Sequence, residues 1–205
     1  MRDTVRANLL RFTDRALSAI PAMARPLVLD IGCGTGVPTV RLARATRGEV
    51  VGLDPDVGSL GALLRRAASA GVVDRVHGCV GSAAAVPFRA GAFDIVWSEG
   101  AVFVLGFEAS LAAWRRLLKP GGTLVLHDEA GDVDGKRAAA ERSGYAVLDT
   151  FTLSEDTWWD AYYAPAAAAP AAAVEPELLA ELDAFRAAPE RFRSAFFVLG
   201  TTEAR

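Results

Sequence analysis

Short apolar runs alternate with amphipathic stretches along the chain, and the two periods predict different elements. Val5, Leu9, Phe12, Ala16 and Ile20 recur at helical spacing until Pro21 ends the pattern, so one amphipathic first helix is expected. The run LVLDI (27–31) reads as a short buried strand, and VPTVRLARAT (37–46) as the helix behind it. The alternation continues with strand EVVGLD (49–54), helix 57–71 closed by Gly71, and a weaker strand RVHGCVG (75–81). Strand AFDIVWSEG (92–100), helix EASLAAWRRLL (108–118) ended by KPGG, and strand TLVLHDE (123–129) follow, then a helix near 133–143 and a strand near 145–152. Such alternation specifies a mostly parallel sheet covered on both faces, with the C-terminal ends of its strands along one edge. That edge collects the glycines after Ile31, Asp54, Gly81–Ser82, Ser98–Glu99 and His127–Glu129, and it is where ligands of open α/β sheets bind.

After residue 152 the rhythm changes. LSEDTWWDAYY predicts an aromatic helix, and the Ala/Pro stretch behind it a linker whose prolines forbid one continuous helix. ELLAELDAFRAA (177–188) predicts another helix. RFRSAFFVLGTT (191–202) predicts a last strand, an antiparallel partner for the strand at 145–152.

Length and charge narrow the classes. The 205 residues suit one domain, and a formal net charge of −3 without a basic stripe argues against a nucleic-acid partner. No apolar run reaches the about eighteen residues of a membrane span. The charge-interrupted start does not read as a signal peptide. Cys33 and Cys79 belong to no ligand cluster and His77 and His127 are scattered. No metal site is therefore expected, and the setting is read as reducing and cytoplasmic.

The chemistry concentrates in GCGTG, where Gly32, Gly34 and Gly36 separate the first strand from its helix. Glycines there permit a tight turn and a close ligand approach. A dinucleotide site wants G-x-G-x-x-G, but this pattern is one residue shorter and has Val37 where the third glycine would fall. No G-K-S/T follows, which removes a Walker loop. Asp54 closes the second strand, where an acid can accept from both ribose hydroxyls of a nucleoside. The site thus asks for a ribose, a base and a compact charged group, a description that S-adenosylmethionine meets.

VLDIGCGTG, VVGLDPD, FDIVWSEGAV and WRRLLKPGGTLVL resemble the successive motifs of class I S-adenosylmethionine-dependent methyltransferases, in that family's order, over about residues 27–128. WSEGAVFVLGFEASLAAWRRLLKPGG and the later WWDAYY are similar to its small-molecule branch. The resemblance implies a Rossmann-like α/β fold with a seven-stranded, mostly parallel sheet and an antiparallel last strand. It implies one domain over 1–205: a lid helix in 1–25, a cofactor-binding core in 26–152, and a C-terminal segment of aromatic helix, linker, helix and strand in 153–205. It places Asp30 and Gly32 near the methionine amine and the turn of Cys33, Gly34 and Gly36 against the methionine portion. Asp54 falls on the ribose, Pro55, Ser82 and Ala83 by the adenine, and Ser98 and Glu99 on the methionyl and sulfonium side. Many relatives carry Asp where this chain has Ser82, so that contact is uncharged here.

Methyl transfer from a sulfonium is an in-line displacement, and a base is needed only where the nucleophile must first lose a proton. His127, on the functional edge, is the candidate base, with a structural histidine as the alternative. Strand alternation sets Asp128 on the other face. Glu99 is the second catalytic candidate, to orient substrate or face the sulfonium, or else a structural bond. Phe103, His127, Trp158 and Tyr162 are the candidate acceptor pocket, weighed against core packing of the aromatics. At helical spacing Trp158 pairs with Tyr162 and Trp159 with Tyr163. Cys33 is read as a space-filler, and Arg65–Arg66 and Arg115–Arg116 as solvated helix faces.

The reading is a methyltransferase acting at O, N or C of a small-molecule acceptor and releasing S-adenosylhomocysteine. The alternatives are an NAD(P)-dependent oxidoreductase and a non-catalytic S-adenosylmethionine-binding partner protein. Oligomeric state has no sequence signal.

Overall fold

A computed structural model describes residues 1–202; residues 203–205, the end of the expected C-terminal segment, lie outside the described residues. Seven strands form one sheet: β1 (Leu27–Ile31), β2 (Glu49–Asp54), β3 (Val76–Val80), β4 (Phe93–Glu99), β5 (Leu118–Glu129), β6 (Tyr145–Leu153) and β7 (Ser194–Thr201). Their order is β3-β2-β1-β4-β5-β7-β6. β3, β2, β1, β4 and β5 run parallel, and β7 is antiparallel to both neighbours. The last strand therefore inserts between β5 and β6, and β6 becomes the sheet edge.

The period of two decides the layers. Val28, Ile95, Trp97, Val125, Phe196 and Val198 face one side with α1 (Arg2–Ala7), α2 (Leu10–Ser18), α3 (Val37–Thr46) and α4 (Val57–Ser69). α9 (Pro176–Ala187) and the tail aromatics join that layer. Leu29, Ile31, Val96, Leu124, Leu126, Phe197 and Leu199 face α5 (Phe107–Arg115) and α6 (Val133–Arg142). The helix starts are marked by the residues that favour them: the Asp56 carboxylate accepts from Gly58 and Ser59 N–H ahead of α4, and Asp132 caps α6. No helix among the described residues is long and apolar enough to cross a membrane.

Four elements depart from the sequence pattern. The single first helix divides at Asn8–Leu9 into α1 and α2, and Asn8 turns its amide to donate to Ala161 O at 2.9 Å. Leu118 ends no helix; it opens β5 opposite Phe93, and the register shift between Phe93 and Ile95 absorbs KPGG. The aromatic helix is three pieces: α7 (Glu155–Trp158), a π-helical turn (Trp159–Tyr163) and α8 (Ala164–Ala167). Across the wider turn the expected pair of Trp158 with Tyr162 forms, and that of Trp159 with Tyr163 does not. Trp158 meets both Tyr162 and Tyr163, while Trp159 stacks on Phe185 at 5.9 Å. Arg65 is exposed as expected, but Arg66, Arg115 and Arg116 are not free solvated faces. Arg115 donates to Gly144 O, Arg116 to Phe88 O and Val86 O, and Arg66 to Thr35 O.

Candidate active site

The strand order reverses between β1 and β4, and the loops leaving these two strands form a crevice. The turn after β1 is tied to β2. Gly32 and Cys33 N–H both donate to Leu53 O, at 2.8 and 3.1 Å, and Gly36 N–H donates to Cys33 O at 3.0 Å. Gly34 N–H donates to Asp54 Oδ2 at 2.9 Å. Four amides are thus spent inside the protein, and the turn offers no row of donors of the kind a pyrophosphate requires.

The glycines differ in purpose. At Gly32 (φ +73°) a Cβ would lie 2.3 Å from Ala101 Cβ, so this glycine lets the loops after β1 and β4 touch. At Gly34 (φ +51°) a Cβ would meet nothing within 4 Å. That position faces open space, and its left-handed backbone still favours glycine. Gly36 seats the start of α3 against Leu63.

Asp54 Oδ1 accepts from Asp56 N–H at 2.9 Å, so each carboxylate oxygen holds one amide and keeps a lone pair for a ligand. Beside it Pro55 is exposed, as are Val57 and Val80, which makes an apolar lip at the end of β2 and β3. Ser82 Oγ accepts from Ala84 N–H at 3.2 Å, and Ala83 O accepts from Trp114 Nε1 at 3.1 Å, so side chains of the core fix that loop. Asp30 is buried with the Thr39 hydroxyl on Oδ2 at 2.6 Å, and burial pushes its carboxyl up to about 7. Cys33 is buried and its thiol pushed far up by desolvation, then by Asp30 and Asp54, which leaves it inert as a nucleophile.

Ser98 and Glu99 separate, because neighbouring strand residues face opposite sides. Ser98 is wholly buried and donates to Ile31 O at 3.0 Å, so its side chain joins β4 to the end of β1 instead of facing the crevice. Glu99, on the other face, gathers three donors: Arg6 Nη2 at 2.7 Å on Oε2, with Thr13 Oγ1 at 2.8 Å and Trp97 Nε1 at 2.9 Å on Oε1. Its side chain is 3% exposed. Glu99 therefore anchors α1 and α2 over the crevice.

Asp3 makes the matching anchor on the other side. It accepts from Thr35 Oγ1 at 2.6 Å and pairs with Arg66. Sequence reasoning named none of Asp3, Arg6 or Thr13, and read Arg66 as a solvated face. They sit on the polar face of an amphipathic helix or in an arginine pair, and nothing in the period separates an anchor from a solvated charge.

A cavity of about 710 Å³ opens beside Gly100, lined by Arg6, Val102, Phe103, His127, Trp158 and Phe192 among others. Phe103 is 79% exposed on its rim. Tyr162 is buried behind Trp158, edge-on at 5.6 Å, and belongs to the core beneath the wall. His127 is buried beside two near-parallel rings, with Phe196 at 4.2 Å and Trp158 at 6.0 Å. Desolvation, then the Arg6 charge, pushes its imidazole down to about 3, so it is neutral near pH 7. Asp128 projects to the opposite face and pairs with Lys136 of α6. His77, half-exposed on β3, faces Glu49 at 3.7 Å, away from these groups.

Residues 28–122 match the family described as a methyltransferase domain. The 27-O-demethylrifamycin SV methyltransferase of Amycolatopsis mediterranei is 33% identical over 151 residues, which cover 71% of this chain and 56% of that protein. The chain spans about half the length of the curated relatives it matches. A SAM-dependent methyltransferase from Geobacter sulfurreducens, solved with S-adenosyl-L-homocysteine, superposes with a TM-score of 0.71 at 20% identity, covering 95% of this chain and 90% of that one. The [4+2]-cyclase SpnF superposes with a TM-score of 0.75 at 20% identity, covering 95% and 81%. Architecture shared with a cyclase does not by itself choose a reaction. The family match falls on the strands and turns that build the crevice, and over residues 28–122 the chain is similar to a methyltransferase domain.

Proposed function

We propose that this chain transfers a methyl group from S-adenosylmethionine to O, N or C of a small, largely apolar acceptor by in-line displacement. The observation that carries the reading is the pair formed by Gly34, whose Cβ position faces open space, and Asp54, whose carboxylate holds that turn and keeps lone pairs free. S-Adenosylmethionine supplies an already activated methyl group. The chain's own residues bind and orient. Asp54 accepts from the ribose hydroxyls, and the lip of Pro55, Val57 and Val80, with Ser82 and Ala83, packs on the adenine. Asp30, Gly32 and the turn of Cys33, Gly34 and Gly36 hold the methionine end. Glu99 serves the site by holding Arg6 and Thr13, and so the first two helices, over it. Phe103 and Trp158 wall the acceptor cavity, and apolar walls there exclude water from the transfer. An imidazole pushed down to about 3 is a weak base, so His127 contributes as a neutral polar group and the rate comes from alignment.

Calorimetry with S-adenosylhomocysteine and with NAD tests the reading, and binding of the first but not the second is expected. Replacing Asp54 with Ala should weaken S-adenosylhomocysteine by about 1–3 kcal/mol, since ribose hydroxyls lose their acceptor. Binding of NAD alone would favour an oxidoreductase. Cofactor binding with no turnover across phenols, amines and carboxylic acids would favour a non-catalytic partner.

A further inference from the structure

We infer that Ser194 is a positioning residue that fixes His127 as the Nδ1–H tautomer, so that the cavity presents a neutral N–H donor to an oxygen lone pair of the acceptor. The inference rests on the cavity being the acceptor site, as proposed above, and it begins with a count of protons. Trp158 Nε1 can only donate, and it donates to Ser194 Oγ at 3.0 Å. The same Oγ lies 2.8 Å from His127 Nε2. Among the described residues the Ser194 hydroxyl meets no other side chain or carbonyl as a donor. With the indole proton already directed at Oγ, the hydroxyl proton goes to the one acceptor in reach, His127 Nε2. Nε2 is then unprotonated, and in a neutral imidazole the ring proton sits on Nδ1.

Nδ1 is the ring edge left for a ligand. His127 lines the cavity, and no side chain or carbonyl of the described residues takes Nδ1. It is not a sealed orphan either, since the buried side-chain polar atoms without partners among the described residues are Thr123 Oγ1 and Thr150 Oγ1. A half-turn of the ring, which would hide Nδ1, would carry Nε2 away from Ser194 Oγ and lose that hydrogen bond. An N–H donor suits a phenolate, enolate or carbonyl oxygen, whereas an ammonium has no lone pair with which to accept from it.

Nitrogen-15 labelling of histidine tests this directly, because the chain has 2 histidines and His77→Gln leaves His127 alone. At pH 7 the protein should show a proton-coupled Nδ1 and an unprotonated Nε2. Ser194→Ala should move the ring toward the Nε2–H form, and Ser194→Thr, which keeps the hydroxyl, should restore the original pattern. With 4-nitrophenolate as probe the Nδ1 proton should shift, and with 4-nitrobenzylammonium it should not. Ser194→Ala should weaken the phenolate about tenfold, one hydrogen bond's worth, while S-adenosylhomocysteine affinity stays within about twofold. An Nε2–H or doubly protonated ring in the parent protein, or an unchanged tautomer in Ser194→Ala, overturns the assignment. No response to 4-nitrophenolate, or a larger one to the ammonium, overturns the ligand class. The tautomer is read without turnover, so a chain that methylated nothing would leave this result standing and remove only the proposed reaction.

Discussion

The two sides of the crevice are built by opposite means. On the β1–β2 side the backbone carries the structure: glycines at positive φ, amides donating to Leu53 and Asp54, and one carboxylate closing the turn. On the β5–β7 side the side chains carry it: an imidazole stacked on Phe196 and near-parallel to Trp158, and a serine that links indole to imidazole. A backbone site tolerates few residue types and leaves a readable pattern. A side-chain site depends on partners far apart in the chain, here 67 residues between His127 and Ser194. The first suits a ligand common to a family, and the second an acceptor that differs between its members.

The largest effect should come from the glycines and should divide them. Gly32→Ala should destabilise the fold by about 3 kcal/mol, since the new methyl overlaps Ala101 and the backbone is left-handed. Gly34→Ala should cost only about 1 kcal/mol from the backbone, yet abolish cofactor binding, because its methyl enters open space. Denaturant melts read beside S-adenosylhomocysteine calorimetry separate the two. Equal losses of binding at equal stability would erase the distinction between a packing glycine and a ligand glycine.

Glu99 joins the two sides through the first helices. Glu99→Gln keeps the shape but removes the charge facing Arg6. It should cost about 1–2 kcal/mol and speed hydrogen exchange over residues 2–18, with the central strands unchanged. Exchange that rises equally in the sheet would mean that Glu99 supports the core and not the cover.

The smallest net effect is on pH dependence, where the two sides oppose each other. Asp30, raised from 3.8 to about 7, favours the folded state below pH 4, and that contribution is lost as pH rises toward 7. His127, lowered from 6.5 to about 3, gives stability that is present above 6.5 and lost as pH falls toward 3. In the parent protein the slopes largely cancel between these limits. Asp30→Asn should expose the histidine slope, with stability rising from pH 4 to 6.5, and His127→Phe the reverse. Urea melts across that range that slope alike in both variants would refute these assignments.

The β1–β2 side was legible because its signals are local. LVLDI with three glycines behind it and a carboxylate at the end of EVVGLD need only short-range geometry, and β1, β2 and α3 fall on the boundaries that the pattern predicts. The side chains of Ser98 and Glu99 part company because a motif names neighbours together, whereas a strand turns them apart. The aromatic segment resisted for a different reason. A π-helical turn shifts the register by one residue, and helical spacing assumes 3.6 residues per turn.

The sequence by itself determined the alternating sheet, its C-terminal edge and the glycine turn beside Asp54, because hydrophobic period and glycine geometry act over a few residues. Only the tertiary structure decided that Glu99 holds the first two helices, that His127 is buried beside Phe196 and Trp158, and that Ser194 meets both imidazole and indole. Burial and hydrogen-bond partners arise from segments that meet only after folding, and they, more than residue type, set which proton sits where.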